Sequence, residues 1–186
     1  MADLPRTFVS FSSTDIDYYR TMMMWNANEH IDFNFKDFQF DEALTFTNPS
    51  RIRAACAAKI RLTDTFILLI GADTHSKTEF VEPEVEAAIE KGCRLIGMNL
   101  NNCRFKDWLC PRFFANKGAM FIPFSSRIAA YALNWAKPVS NPYLPDDWHY
   151  PYERYTRLGY EVIGDTATLP TLPNPFAGGN RPSRAK

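Results

Sequence analysis

The chain has 186 residues, enough for one well-packed domain with an extension and too few for two comfortable domains. Formal charge balances at zero, 46% of residues are apolar and 23% charged, and no basic run exceeds a few positions, which argues against nucleic-acid binding and docking on anionic membranes. Nothing at the N-terminus resembles a signal peptide, no apolar run approaches a membrane span, and the four cysteines form no Cys-x-x-Cys pair, so a reduced cytoplasmic protein is expected.

The apolar run 7–11 predicts a buried strand. Ser12-Ser13-Thr14-Asp15 then supplies helix-capping chemistry, and a helix is expected over 16–27 with Tyr19, Met22 and Met23 on its apolar stripe. Strict alternation in Ile31-Asp32-Phe33-Asn34-Phe35 predicts a half-buried second strand. Residues 36–48 lack firm periodicity and read as a loop with a short helix. Pro49 suits a helix start, and Ile52, Ala55, Cys56, Lys59 and Ile60 make that helix amphipathic. The continuously apolar run 65–71 is the strongest strand signal, as in a parallel strand covered on both faces. The helix that follows, from about Glu82, has Pro83 in its first turn and Gly92 just past its end. Further strands are expected at 94–100 and 119–124, separated by an irregular loop at 101–116 that carries a short helix. Ser125-Ser126 caps a last helix through Ile128, Tyr131, Ala132 and Trp135.

Strands alternating with helices predict an α/β fold, an open five-stranded parallel sheet with helices on both faces, over residues 1–137. Residues 138–186 form a C-terminal extension holding 8 of the 13 prolines, a composition that resists a core of its own. Its Trp148, Tyr150, Tyr152, Tyr155 and Tyr160 are expected to strap it, up to about Val162, against the domain, with the last dozen residues mobile.

The nucleotide loops Gly-x-Gly-x-x-Gly and Gly-x-x-x-x-Gly-Lys-Ser/Thr are absent, as are Gly-x-Ser-x-Gly and metal-ligand spacings, so no metal site is expected. A parallel sheet brings the loops after its strands to one edge. Those loops hold Phe11, Ser12 and Ser13 after the first strand, Asp37 after the second, and Ala72-Asp73-Thr74-His75 leading to Phe80 and Glu84 after the third. Hydroxyls and free amides at a helix start suit a phosphate, an aromatic ring suits a base, and a carboxylate suits ribose hydroxyls. Glu84 also has a plainer reading. With Glu82 and Glu86 it stands at a helix start, where each carboxylate gains about 0.3–1 kcal/mol from the helix dipole. Ser12, Ser13 and Asp15 serve equally well as caps, and Phe11 as core.

Three stretches, Phe8-Val9-Ser10-Phe11-Ser12-Ser13-Thr14-Asp15, Leu69-Ile70-Gly71-Ala72-Asp73-Thr74, and Phe80-Val81-x-x-Glu84 followed by Ala88-Ile89-Glu90-Lys91-Gly92, resemble the TIR-like domain of the Thoeris anti-phage defence system. The resemblance covers roughly the first 137 residues in architecture. Its sharpest element is the spacing aromatic-Val-x-x-Glu, with Phe80 where tryptophan is commoner. It implies a flavodoxin-like, TIR-like fold and an NAD-consuming enzyme, a nucleosidase or ADP-ribosyl cyclase, with Glu84 as the catalytic carboxylate. NAD would be the substrate and no cofactor would be needed. The product would be a cyclic or modified ADP-ribose passed as a signal to an effector protein. A phage-derived trigger and self-association are the expected partners of activation, and Phe11, Ser12, Ser13, Asp37 and Phe80 the expected substrate contacts. The alternative is a TIR-type scaffold that assembles without catalysis, which would have no need of a carboxylate at that spacing.

Overall fold

Successive side chains of a strand point to opposite faces, and in this chain both sets are apolar, so every central strand demands cover on two sides. The computed structural model, which describes residues 4–38, 48–135 and 147–160, meets that demand with a three-layer α/β arrangement. In chain order the elements are β1 (Arg6–Ser10), α1 (Ile16–Ala27), β2 (Lys36–Asp37), α2 (Pro49–Ile60), β3 (Thr65–Ile70), α3 (Val81–Lys91), β4 (Arg94–Asn99), β5 (Met120–Pro123), α4 (Ser126–Trp135), β6 (Trp148–His149) and α5 (Tyr152–Arg157). The sheet order is β2-β1-β3-β4-β5-β6, and every neighbouring pair is parallel.

Parity along the strands sorts the core into two clusters. Val9, Ile67, Leu69, Ile96, Met98 and Ile122 face one way, onto Met22 of α1, Ile128 and Leu133 of α4 and Tyr155 of α5. Phe8, Phe66, Leu68, Ile70, Leu95 and Phe121 face the other way, onto Cys56 and Ile60 of α2 and Val81, Val85 and Ala88 of α3. Nearly all of these side chains are fully buried, and each such burial stabilises by about 1.5–3 kcal/mol. The sheet is therefore the rigid frame, and its loops inherit its precision.

The punctuation of α2 and α3 follows their sequences. Asn48 caps α2, its side chain accepting from Ser50 N at 2.9 Å, with Pro49 in the first turn. Gly92 ends α3 in the left-handed conformation, φ 76°, returning its N–H to the last turn.

The second strand lies later than the alternation of 31–35 predicts. That alternation is one of burial, with Phe33 and Phe35 buried and Asp32 and Asn34 exposed, but not one of pairing. Phe35 N donates to the Asn26 side chain and Phe33 N to Ile31 O, so the ladder to β1 begins only with Lys36 N to Pro5 O. Asp37 is consequently a strand residue in register with Thr7, not a residue of the loop beyond. Residues 101–116 form turns and no helix, pinned by Asn99 Nδ2 to the carbonyls of Cys103 and Phe105 and by burial of Cys103, Leu109 and Phe114.

Among the described residues the sheet has six strands rather than the expected five, the sixth coming from the extension. β6 pairs with β5, Tyr150 and Tyr155 are buried, and Arg104 lies over the rings of Tyr152 and Tyr155. Asp147 anchors this return. Its carboxylate accepts the backbone N–H of Asn116, Lys117 and Ala119 and pairs with Lys106 at 2.9 Å. Tyr152, by contrast, is 55% exposed and contributes little cover. The rest of the expected strap, the expected mobile end, and most of the loop at 36–48 lie outside the described residues.

Candidate active site

The chain leaves β1 for β2 on one side and reaches β3 on the other, so the sheet order reverses between β1 and β3. Crevices at such reversals, at the C-terminal ends of the strands, are where open α/β sheets bind ligands. Glu84 stands there. It occupies the first turn of α3 beside the buried residues Val81 and Val85, so its side chain runs along the flank of the helix that meets the sheet. Ser10, the last residue of β1, has the parity of Phe8 and therefore faces α3. Its hydroxyl donates to Glu84 Oε2 at 2.6 Å, and the serine is completely buried.

The third member is Cys56 of α2, 4% exposed, whose thiol donates to the same carboxyl. Glu84 keeps some accessible surface as a residue, yet its carboxyl end is desolvated. Burial raises the Glu84 carboxyl to about 7, with the Ser10 and Cys56 hydrogen bonds pulling it back. Burial likewise pushes the Cys56 thiol up to about 12, reinforced by the charge and hydrogen bond of Glu84, so the cysteine stays protonated and acts as a donor. Among the described residues that act on Glu84 there is no cation. A carboxylate with this proton affinity is unlike a solvated helix-start glutamate. Glu86, two positions on, is exposed.

A second acidic group is built from the loops after β1 and β3. Asp73, in the loop after β3, accepts from Thr14 Oγ1 at 2.8 Å and Ser12 Oγ at 3.2 Å and pairs with Lys77 at 3.1 Å. Burial works against it, but the bonds from Thr14, Lys77 and Ser12 hold its carboxyl below the ordinary value. Asp15, 8% exposed, is pushed up to about 6 by burial and then by the charge of Asp73, and its Oδ2 is buried without a hydrogen-bond partner.

The expected substrate contacts divide accordingly. Ser12 is buried, accepts from Thr14 N and donates to Asp73, so it ties two loops together; Ser13 is exposed on the turn Ser13–Asp15. Phe80 immediately precedes α3 and is 37% exposed at the same edge as Glu84. Phe11 is half-buried and stacks on Tyr19, centroids 4.7 Å apart, and the Tyr19 hydroxyl donates to Asp37 at 2.6 Å. Asp37, level with Thr7 and so about 10 Å down the sheet from Ser10 at ~3.3 Å per residue, belongs to that pair.

Ser10 and Cys56 were not among the expected site residues. Ser10 carried a signal, a polar side chain at the end of a buried strand, which must find a partner. A cavity of about 250 Å³ lined by Phe105, Lys106, Phe121, Asp147, Trp148 and His149 shares no residue with the Glu84 group. No group of three or more His, Cys, Asp or Glu among the described residues is placed to hold a metal ion, and no described helix is long and apolar enough to cross a membrane.

The family model for the TIR-like domain of the Thoeris protein ThsB matches residues 8–104, just over half of the 186-residue chain. The chain belongs to this family. The match spans β1 to β4 and so includes Ser10, Cys56, Asp73 and Glu84. The flavodoxin-type order of the first five strands agrees with the TIR-like match, and the match places the chain in a defence-related TIR-type domain family. No curated protein matches it. β5, β6 and α5 lie beyond the matched ThsB segment, although β5 and β6 complete the same sheet.

Proposed function

We propose that this TIR-type domain consumes NAD, cleaving the nicotinamide–ribose bond and making a cyclic or modified ADP-ribose signal. The observation that carries the reading is Glu84, a desolvated carboxylate held from β1 by Ser10 at the reversal point of the sheet. In the reaction the bond between the ribose carbon and the pyridinium nitrogen breaks, and its electron pair leaves with nicotinamide, which becomes neutral. The ribose is left as an oxocarbenium-like cation. An ionised Glu84 stabilises that cation electrostatically in a site where water does not screen it, and its second oxygen is free of Ser10 to meet a ribose hydroxyl. Attack by water then releases a proton and gives ADP-ribose; attack by a nitrogen of the adenine ring gives a cyclic product.

An enzyme that destroys an abundant cytoplasmic nucleotide needs a resting state. Low basal activity that rises on self-association or on contact with a phage component fits that need, with the product passing to an effector protein. The loop at 101–116 offers a docking feature, Trp108, which is 71% exposed. The deciding experiment measures nicotinamide release from NAD by purified protein, with and without a phage trigger, alongside Glu84→Gln. Release that persists in a folded Glu84→Gln protein overturns the assignment of Glu84. Absence of release under every condition favours assembly without catalysis.

A further inference from the structure

The contact between Ser10 and Glu84 joins residues 74 apart in sequence and runs from the end of β1 to the first turn of α3. A buried serine hydroxyl needs a partner, but a backbone carbonyl would have served that need within the sheet. Here the hydroxyl instead donates to the group that the proposed reaction requires as an anion. We infer that Ser10 is a positioning residue, fixing one oxygen of Glu84 so that the carboxylate stays ionised and presents its other oxygen to the ribose. This inference rests on the NAD-cleaving reading for its consequence in turnover, but not for its electrostatics.

The groups acting on the carboxyl are Ser10 from β1 and Cys56 from α2. Both donate, and a hydrogen bond to the charged form of an acid favours that form. They oppose the desolvation, and the balance of the three brings Glu84 to about 7. The site is thus balanced at neutrality, and small changes in donor strength decide what fraction of molecules carries the anion. Cys56 is the weaker donor by chemistry, since a thiol bonds less strongly than a hydroxyl. Removing the Ser10 hydroxyl therefore shifts the balance towards the protonated acid, and a neutral Glu84 cannot stabilise a cation.

The test compares wild type, Ser10→Ala and Ser10→Thr in full-length protein. Nicotinamide release from NAD is followed from pH 5.5 to 9, with melting temperature as a check on folding. For Ser10→Ala the acid limb of the profile is expected to move up by about one unit, with a roughly tenfold loss at pH 6.5 that narrows towards pH 9. Ser10→Thr, which keeps the hydroxyl, is expected to restore the wild-type limb. A pH-independent loss in Ser10→Ala would show a merely structural role and overturn the inference. The second readout needs no turnover: ¹³C NMR titration of the Glu84 carboxyl, assigned by its disappearance in Glu84→Gln. A midpoint raised in Ser10→Ala upholds the inference even if wild type releases no nicotinamide, in which case the NAD reading alone falls. An unmoved midpoint overturns the inference whatever the enzyme does.

Discussion

Asp15 and Gly71 share one space: a Cβ built on Gly71 would lie 2.4 Å from Asp15 Oδ2 and 2.5 Å from Oδ1. The carboxyl has moved in against bare backbone at the end of β3, where the Thr74 side chain bonds it and Gly71 N donates to Thr74 Oγ1 at 2.8 Å. Glycine is required there by close approach rather than by an unusual φ. Gly71→Ala is expected to destabilise by about 1–3 kcal/mol, the range for forced overpacking. The double variant Gly71→Ala with Asp15→Ala should recover part of that loss, read as a coupling in a double-mutant cycle by urea melting. Strict additivity would show that the two residues do not oppose one another.

Glu84→Gln is expected to keep the fold and to lower NAD cleavage at least about a hundredfold, since removing one charge-stabilising group lowers rates by 10²–10³. Gln retains an acceptor for the Ser10 hydroxyl, so the geometry survives while the charge does not. Single-turnover nicotinamide release checks it.

The same substitution should stabilise the protein at alkaline pH. Glu84 and Asp15 are raised from 4.5 to about 7 and from 3.8 to about 6, so across that interval the folded chain holds more protons than the unfolded one. Stability from both groups is therefore fully present below the unfolded values and is lost as pH rises from about 4 to about 7. Glu84→Gln removes its share of that slope. Its melting temperature should match wild type near pH 4 and exceed it at pH 8, by a free energy on the order of 2 kcal/mol. Equal pH slopes in the two proteins would contradict the desolvated carboxyl.

The extension is expected to behave as part of the core. Tyr155 of α5 is fully buried, and truncating a core aromatic to alanine typically lowers stability by about 3–5 kcal/mol. Tyr155→Ala should therefore melt well below wild type, and a chain ending at residue 146, which lacks β6 and α5, should melt lower still. Calorimetry with the full chain as reference decides it.

Trp108→Ala should leave the melting temperature unchanged, because the ring is 71% exposed. If the loop carries the activating contact, specific activity should lose its rise with protein concentration. An unchanged rise, with light scattering recorded in parallel, would move the contact elsewhere.

Long continuous signals were legible in the sequence and weak or distant ones were not. β3 and β4 could be read from apolar runs because a strand covered on two faces leaves no polar alternative. The helix bearing Glu84 could be read from Pro83 and Gly92. The strand expected at 31–35 was misplaced because Phe33 and Phe35 alternate in burial while their backbone bonds go to Asn26 and a local turn. β6 was missed because two residues, both exposed, show no period at all. Glu84 stood out through its spacing from Phe80, but its partners Ser10 and Cys56 are brought in by α2 and β1, and nothing local announces a contact across 74 residues.

The return of residues 147–160 to the sheet imposes an order on synthesis. The matched family segment ends at 104, before β5, so a nascent chain at that length exposes the edge of β4 and lacks α4 and Tyr155, which pack in the same core cluster as Ile96 and Met98. Glu84, Ser10 and Cys56 are translated early, while the sheet that carries them is completed late, by β5 and β6. Stalled chains shorter than about residue 155 should be protease-sensitive and silent towards NAD, while longer ones gain resistance and activity together. Timing of this kind would keep the proposed activity out of incomplete chains without any inhibitor.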